Sequence, residues 1–300
     1  MGALNDALRE LQAAQGDITS QAAVTAEFAV AVQPKSNRDK LRAALDAAAV
    51  LHWFEVPLLA YVLEINEQDA RERFEALATL PFVERFPSRE GDVRNVHNAT
   101  RLGWRRRLFA KQPERFRAVS ARAAAFFHSE ATPRGCIEWI YHLLSADPDE
   151  GATRLESLDR DWSGSAHLED RQALAVALRE LEETNLVRGR AQAWVLLNIS
   201  WARVNRGESA QLRAAADRAL ELARAARDAR AEADAQCLLG DVFQSQGKLD
   251  ERMLRSYRIL RSADDWLRWT KLIRVGSGTW RWRTIGWVVF SRCRVTWMMR

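Results

Sequence analysis

The residue types that most often carry chemistry are thinly spread along this chain of 300 residues. Its five histidines and three cysteines show no metal-site spacing such as HExxH or CxxC. No serine or cysteine stands in the context of a hydrolase nucleophile. We therefore expect no catalytic residue, no metal ligand and no cofactor. The isolated cysteines fit a reducing, cytoplasmic compartment. The residues considered are Cys136, Cys237, Cys293, His52, His97, His128, His142 and His167.

Two of these histidines allow a more specific expectation. His142 lies on the apolar face of a helix, where we expect a hydrogen-bonded packing role rather than a metal. His97 precedes a helix, and a structural role is again the expectation.

One segment resembles a phosphate-binding loop but departs from it at two points. Six residues separate Gly240 from Gly247, where the motif has four. Leu249 follows Lys248 in place of the serine or threonine that would bind Mg²⁺. We therefore expect this segment to bind no nucleotide.

The net charge of +5 comes from the last part of the chain. Residues 266–300 contain eight basic and no acidic residues, and the remainder has 37 basic against 40 acidic residues. Arg105, Arg106 and Arg107 form a short basic run that could contact nucleic acid. The helix predicted over 67–80 has four acids against two bases, which disfavours a DNA-recognition role. No secretory signal or membrane-spanning run is present in the sequence, so membrane association is not expected outside this tail.

The elements that must position these residues are mainly helical, since glycine and proline are sparse at 14 and 7 residues. Apolar periodicity predicts helices over 39–54, 56–65 and 67–80. Two short alternating segments around 88–92 predict a β-hairpin, and a helix resumes near Thr100. Three helices followed by a hairpin are typical of a winged-helix unit.

Two later segments predict helical hairpins of the tetratricopeptide type, which would stack as an α-solenoid. In this pattern a small residue lets two helices approach, an aromatic fills the gap and a glycine forms the turn. The leucines of the two copies are 42 residues apart in sequence, which is longer than the usual repeat. The predicted repeat-packing residues are Leu197, Trp201 and Gly207 in the first copy, and Leu239, Gly240, Phe243 and Gly247 in the second.

Several stretches resemble the winged-helix and repeat region of bacterial signal-transduction (STAND-type) ATPases. They read LDAAAVLHWFEVPLLAYVL, RFEALATLPFVE, VHNATRLGWRRRLF and GCIEWIYHLLSADPDEGATRL. The resemblance covers about residues 38–263 and implies a fragment or relative of such an ATPase without its nucleotide-binding domain. The expected divisions are an N-terminal helical segment 1–37, a winged-helix-like domain 38–112, a helical connector 113–163, repeats 164–263 and a tail 264–300.

The tail is predicted to be a repeat translated out of frame. It holds six of the twelve tryptophans, and they follow neither a helical nor a strand period. Tryptophan and methionine have single codons, so a one-base shift forces glycine from Trp287-Val288 and aspartate from Trp297-Met298. With permitted codons, residues 282–300 become AHDRLGRVQSMQGDLDDA, which carries Leu-Gly and a turn glycine at repeat spacing. If the frame is instead genuine, its Arg/Trp surface becomes a candidate for nucleic-acid or membrane binding.

These features favour a non-enzymatic protein–protein interaction scaffold whose partner the sequence does not identify. The alternative is a DNA-binding regulator that uses the winged helix.

Overall fold

The computed structural model describes residues 2–87, 91–162 and 165–247. Within these residues the protein is mainly helical, with thirteen α-helices and one two-stranded sheet, so the expected α class is confirmed. The tail 264–300 and the second helix of the last predicted repeat, over 248–263, lie outside the described residues.

The chain divides into two compact units. Among the described residues, the first comprises 2–154 with 183–186, and the second comprises 155–182 with 187–247. Elements up to the first turns of α9 belong to the first unit. They are α1 Gly2–Ala13, α2 Ile18–Ala31, α3 Lys35–Val50, α4 Val56–Leu63, α5 Glu67–Ala78, β1 Val83–Arg85, β2 Arg94–Val96, α6 Asn98–Lys111, α7 Pro113–His128, α8 Pro133–Ala146 and α9 Pro148–Asp161.

The sheet of the first unit begins with an antiparallel pair, in which Val83 lies opposite Val96 and Arg85 opposite Arg94. Phe54 adds an isolated bridge, because its backbone N–H donates to the Arg94 carbonyl at 2.7 Å and its own carbonyl accepts from the Arg94 N–H at 2.9 Å. This bridge corrects the helix predicted over 39–54. α3 ends at Val50, since residues 51–54 must extend to reach β2.

The core of the first unit is built around α3, which packs against α4, α5, α6 and α7. Its side chains from Ala44 to Val50 are all buried. Two pairs of aromatic rings complete this core. Trp53 meets Phe127 and Phe54 meets Phe74, both edge to face with centroids 5.5 and 5.7 Å apart.

The contact between α2 and α6 is unusually close at one glycine. A Cβ built on Gly103 would lie 2.0 Å from the carbonyl oxygen of Thr19 and 3.0 Å from the Ala23 side chain. No larger residue fits here unless α2 moves away, so the close packing of α2 against α6 depends on Gly103.

In the described residues, the second unit contains the end of α9 and four further helices. They are α10 Leu168–Glu183, α11 Gly189–Val204, α12 Arg213–Ala225 and α13 Ala229–Ser245, with short 3-10 turns at Ser165–His167 and Ser209–Gln211. Residues 193–198 of α11 are all buried, so α11 is covered on every side. α12 packs against both α11 and α13, and α13 also packs against α11.

None of the helices in the described ranges combines the length and the apolar character that crossing a bilayer requires.

Gly103→Ala should lower the free energy of unfolding by about 2–3 kcal/mol, because the new methyl group overlaps the backbone of α2. Urea unfolding measures the change, and hydrogen exchange should show that amides 18–31 lose protection first. A gain in stability from the better helix propensity of alanine would contradict the close contact.

Candidate functional site

The first copy of the predicted repeat positions lies on α11 and the turn that follows it. Leu197 and Trp201 are 1 and 7% exposed, and their spacing of four residues places them on one face of the helix. Gly207 lies in the turn with φ +81°, a left-handed conformation that glycine adopts without a steric penalty. The structure thus places two of these residues in packed positions of α11 and the third at the turn before α12.

The second copy lies on α13. Leu239 and Phe243 are buried, and the Arg213 guanidinium at the start of α12 lies 5.3 Å from the Phe243 ring centroid. Gly247 follows the helix with φ +73°.

Gly240, a predicted packing residue inside α13, is not brought against another element among the described residues. No atom of the described residues comes within 4 Å of the position of a Cβ at Gly240. The helix expected to approach it, over 248–263, lies outside those residues, so its packing role stays a prediction.

The phosphate-loop lookalike coincides with α13. Gly240 to Ser245 are helical, whereas a phosphate loop presents its backbone N–H groups from a turn between a strand and a helix. The described part of this segment therefore lacks the loop geometry of a phosphate site, and Lys248 and Leu249 lie outside the described residues.

Asp228 joins α11 and α13 through one carboxylate. Its Oδ1 caps α13 by accepting the backbone N–H groups of Arg230 and Ala231 at 3.1 and 3.0 Å. Its Oδ2 accepts from the Trp194 indole at 2.9 Å and from Arg190 Nε at 2.8 Å. Asp228 thereby fixes the start of α13 against α11.

Arg190 extends this network to α9. Its Nη2 donates to Glu156 Oε2 at 3.0 Å, and Glu156 Oε1 lies 3.5 Å from Arg230 Nε. Burial alone would raise the pKa of Asp228, but the hydrogen bonds from Ala231, Trp194 and Arg190 lower it overall. The carboxylate therefore stays charged and keeps its four donors.

This network was not predicted from the sequence. Asp228 had a readable signal, since an aspartate directly before a helical run is a preferred N-cap. The partner Arg190 had none, because it stands 38 residues away.

The basic run Arg105-Arg106-Arg107 is divided between the interior and the surface. Arg105 is fully buried, its guanidinium donates to the Tyr141 hydroxyl, and it lies 5.8 Å from the Phe116 ring centroid. Burial and the nearby Arg101 lower the pKa of Arg105, while Glu138 opposes them. Arg105 therefore belongs to the core and cannot contact DNA.

The other two arginines of the run contact the N-terminal helices. Arg106 Nη1 lies 3.1 Å from Thr19 Oγ1 and 3.5 Å from Asp17 Oδ2. Arg107 Nη2 lies 3.0 Å from Glu10 Oε2. In this structure both cations are used within the chain.

A buried cluster of ionisable side chains lies where residues 51–54 meet α8. His52 Nδ1 is 2.8 Å from Glu138 Oε2, and His142 Nε2 is 3.6 Å from the same oxygen. The His52 ring lies 4.1 Å from Tyr141, and the fully buried His142 stacks on Phe127 with centroids 5.8 Å apart. Glu138 and His142 are four residues apart on α8 and therefore share a face.

His142 corrects the expectation of a hydrogen-bonded packing role. It is packed, but neither ring nitrogen has a hydrogen-bond partner among the described residues. Burial lowers its pKa to about 3, and nearby Arg105 adds to this effect while Glu138 opposes it. Burial raises the pKa of Glu138, but the charge and hydrogen bond of His52 lower it overall. The cluster therefore holds an ionised carboxylate beside a neutral imidazole.

The remaining histidines lie apart from this cluster. His97 precedes α6, and its backbone N–H donates to Phe82 O at 2.8 Å. His128 meets the edge of Trp139, and His167 stacks on Trp162. No three His, Cys, Asp or Glu side chains in the described ranges are arranged to hold a metal ion.

A surface groove of about 610 Å³ runs along α7 and α8. Its floor is apolar and includes Ala118, Ala121 and Ala125 from α7 with Trp139 and Leu143 from α8. Small-molecule sites usually combine apolar walls with convergent polar groups, and the charged lining residues here lie toward the ends of the helices. We assign no ligand to it.

Comparison with known proteins supplies no relative for this chain: no protein-family model, no curated protein and no solved structure matches it.

Asp228→Ala should lower the free energy of unfolding of the second unit by about 2–3 kcal/mol, since it removes the cap of α13 and the acceptor of the Trp194 indole and of Arg190 Nε. Asp228→Asn should cost less, because asparagine still caps a helix. Urea unfolding measures both. Asp217→Ala, which removes an exposed partner of Arg213, serves as control with an expected change within about 0.5 kcal/mol. Equal losses for the two Asp228 variants would contradict the capping role.

His142 should make stability fall in mild acid. Its folded pKa of about 3 lies below the ordinary value of 6.5, so only the unfolded chain binds this proton between the two. The stabilisation is therefore complete above pH 6.5 and is lost as pH falls toward 3. Between pH 6.5 and 5.5 the wild type should lose about 1 kcal/mol more than His142→Phe, which keeps the stack on Phe127. Parallel stability curves for the two proteins would contradict this assignment.

Proposed function

We propose that this chain is a non-enzymatic scaffold that binds another protein, with a winged-helix-like unit followed by tetratricopeptide-type helical hairpins. The observation that carries the proposal is the consecutive packing of α11, α12 and α13, each joined to the next by a turn and each in contact with the others. Helices that pack in this order extend by adding pairs, and such arrays bind partners along their surface. The buried Leu197 and Leu239 and the turn glycines Gly207 and Gly247 support it.

The order of elements in the first unit supports the winged-helix part. α3, α4 and α5 precede β1 and β2, and Phe54 adds a third short pairing between α3 and α4. This order agrees with the resemblance to STAND-type ATPases, in which such a unit is followed by repeats.

A DNA-binding regulator is the second candidate, and the same order of elements favours it. The charge of α5 opposes it, because Glu67, Glu72 and Glu75 are exposed on the helix that would read DNA. The burial of Arg105 removes one further cation from such a surface.

The first experiment is an independent determination of the nucleotides that encode residues 250–300 and their continuation. A one-base change that restores further repeats would define the protein to use as bait. If the frame stands, the chain is used as given.

Affinity capture with that bait and mass spectrometry then tests the scaffold, and fluorescence anisotropy with duplex DNA tests the alternative. The proposal expects one protein to be retained at stoichiometric amounts and DNA to bind only weakly at physiological salt. DNA binding that persists without residues 266–300, together with no retained protein, would favour the regulator.

Gly240→Ala tests the repeat packing directly. If a following helix packs on Gly240, the added methyl group should lower the free energy of unfolding by about 1–3 kcal/mol. If that space is open, alanine should instead stabilise α13 by about 0.5–1 kcal/mol through its higher helix propensity. Urea unfolding measures whether the free energy of unfolding falls or rises, and a rise would count against the tetratricopeptide interpretation.

A further inference from the structure

The two N-terminal helices lie against a basic surface of the first unit. We call residues 2–31, which form α1 and α2, the N-terminal cover. α2 packs against both α6 and α3, and α1 packs against α2. The surface beneath carries Arg42 on α3 and Arg106, Arg107 and Lys111 on α6, and we call these four cations the basic face.

Three carboxylates of the cover meet this face, and one of them, Asp17, also caps α2. The Glu27 carboxylate accepts hydrogen bonds from both terminal nitrogens of Arg42, one of them at 3.0 Å. Asp17 faces Arg106 and Glu10 faces Arg107. Burial raises the pKa of Glu27, but its bond to Arg42 and the charges of Arg107 and Lys111 lower it overall. The cover is therefore electrostatically complementary to the face along its length.

The apolar part of the contact is small. The buried side chains of α2 are Ala23, Val24, Ala26 and Val30, whereas Phe, Trp and Leu fill the core around α3. Small side chains bury little area and contribute correspondingly little free energy. The contact thus depends on its ion pairs more than the core does.

Those ion pairs remain in contact with water. The side chains of Arg42 and Glu27 are each 33% exposed, and those of Arg106 and Asp17 are 42 and 47% exposed. Exposed pairs are weak individually and are screened by salt. Segments with little buried apolar surface and water-exposed pairs open before the core does.

We propose that the N-terminal cover is displaceable and that the basic face beneath it is a docking surface for an acidic helix of a partner protein. The occupant is argued from the cover itself, which shows the chemistry that the face accepts. On α2 that chemistry is small apolar side chains that approach Gly103 and a carboxylate, Glu27, that meets Arg42. Flanking carboxylates add to it, because Asp17 before α2 meets Arg106 and Glu10 on α1 meets Arg107. This surface belongs to the first unit and does not depend on the proposed repeats.

The covalent link explains why the face is occupied in this chain. A tethered helix acts at a high effective concentration, in the millimolar range, so a free helix of similar affinity cannot compete until the cover is weakened. A partner with more carboxylates would compete where the chain's own cover is marginal.

The test uses the full chain and its variant Glu27→Lys, which places a lysine against Arg42, Arg107 and Lys111. Glu169→Lys, an exposed position in the second unit, is the matched control. Hydrogen exchange is followed over α2, with α4 as internal reference. The probe is a fluorescein-labelled peptide of residues 1–34, and its binding is measured by anisotropy at about 50 mM and about 500 mM salt.

Glu27→Lys should accelerate exchange in α2 at least about tenfold while α4 is unchanged. The peptide should bind this variant at least about tenfold more tightly than wild type or Glu169→Lys, and high salt should abolish the difference. Adding Arg42→Glu to Glu27→Lys reverses the pair, so slow exchange in α2 should return.

Unchanged exchange in α2, or acceleration of α2 and α4 together, would overturn the proposal, since the cover would not open separately. An open α2 without tighter peptide binding would overturn the docking surface. Tighter binding of a duplex DNA probe than of the peptide by Glu27→Lys would assign the face to nucleic acid and overturn the protein partner.

Discussion

Charge that is removed from water has to be matched inside a protein, and this constraint fixes the helices of both units. In the first unit Glu138 is almost fully buried and is met by His52 at 2.8 Å. In the second, Asp228 holds Trp194, Arg190 and the start of α13 together. Apolar burial makes each unit compact, and these carboxylates fix the contact of α8 with His52 and that of α13 with α11, because their donors occupy fixed directions.

Most helices could be predicted because each depends on its own periodicity and end signals. Pro113 and Pro133 begin helices, and Asn66 and Thr132 cap them, as local rules require. The end of α3 could not be predicted in this way. The residues after Val50 have a helical pattern, but Phe54 pairs with Arg94, forty positions later, and that distant backbone decides the local conformation.

The candidate sites show the same division. The residue types of the Asp228 network were visible, but their pairing across 38 residues was not. The basic run also shows that adjacent arginines on a helix lie in different environments, because successive side chains are rotated by about 100° around the helix axis. Arg105 enters the core, whereas Arg106 and Arg107 meet the N-terminal helices. The sequence shows where these arginines stand, but only the packing of the helices shows what each of them contacts.

The glycine at the crossing of α2 and α6 has a consequence for how this sequence can evolve. Gly103 is a poor helix former in the middle of α6, and α2 excludes a side chain there through the Thr19 backbone and Ala23. A lineage that lost the N-terminal helices would be released from this restriction and would gain by replacing the glycine with alanine. The residue at position 103 would therefore co-vary with the presence of those helices. A glycine there would indicate that they are docked, and a larger residue that they are not.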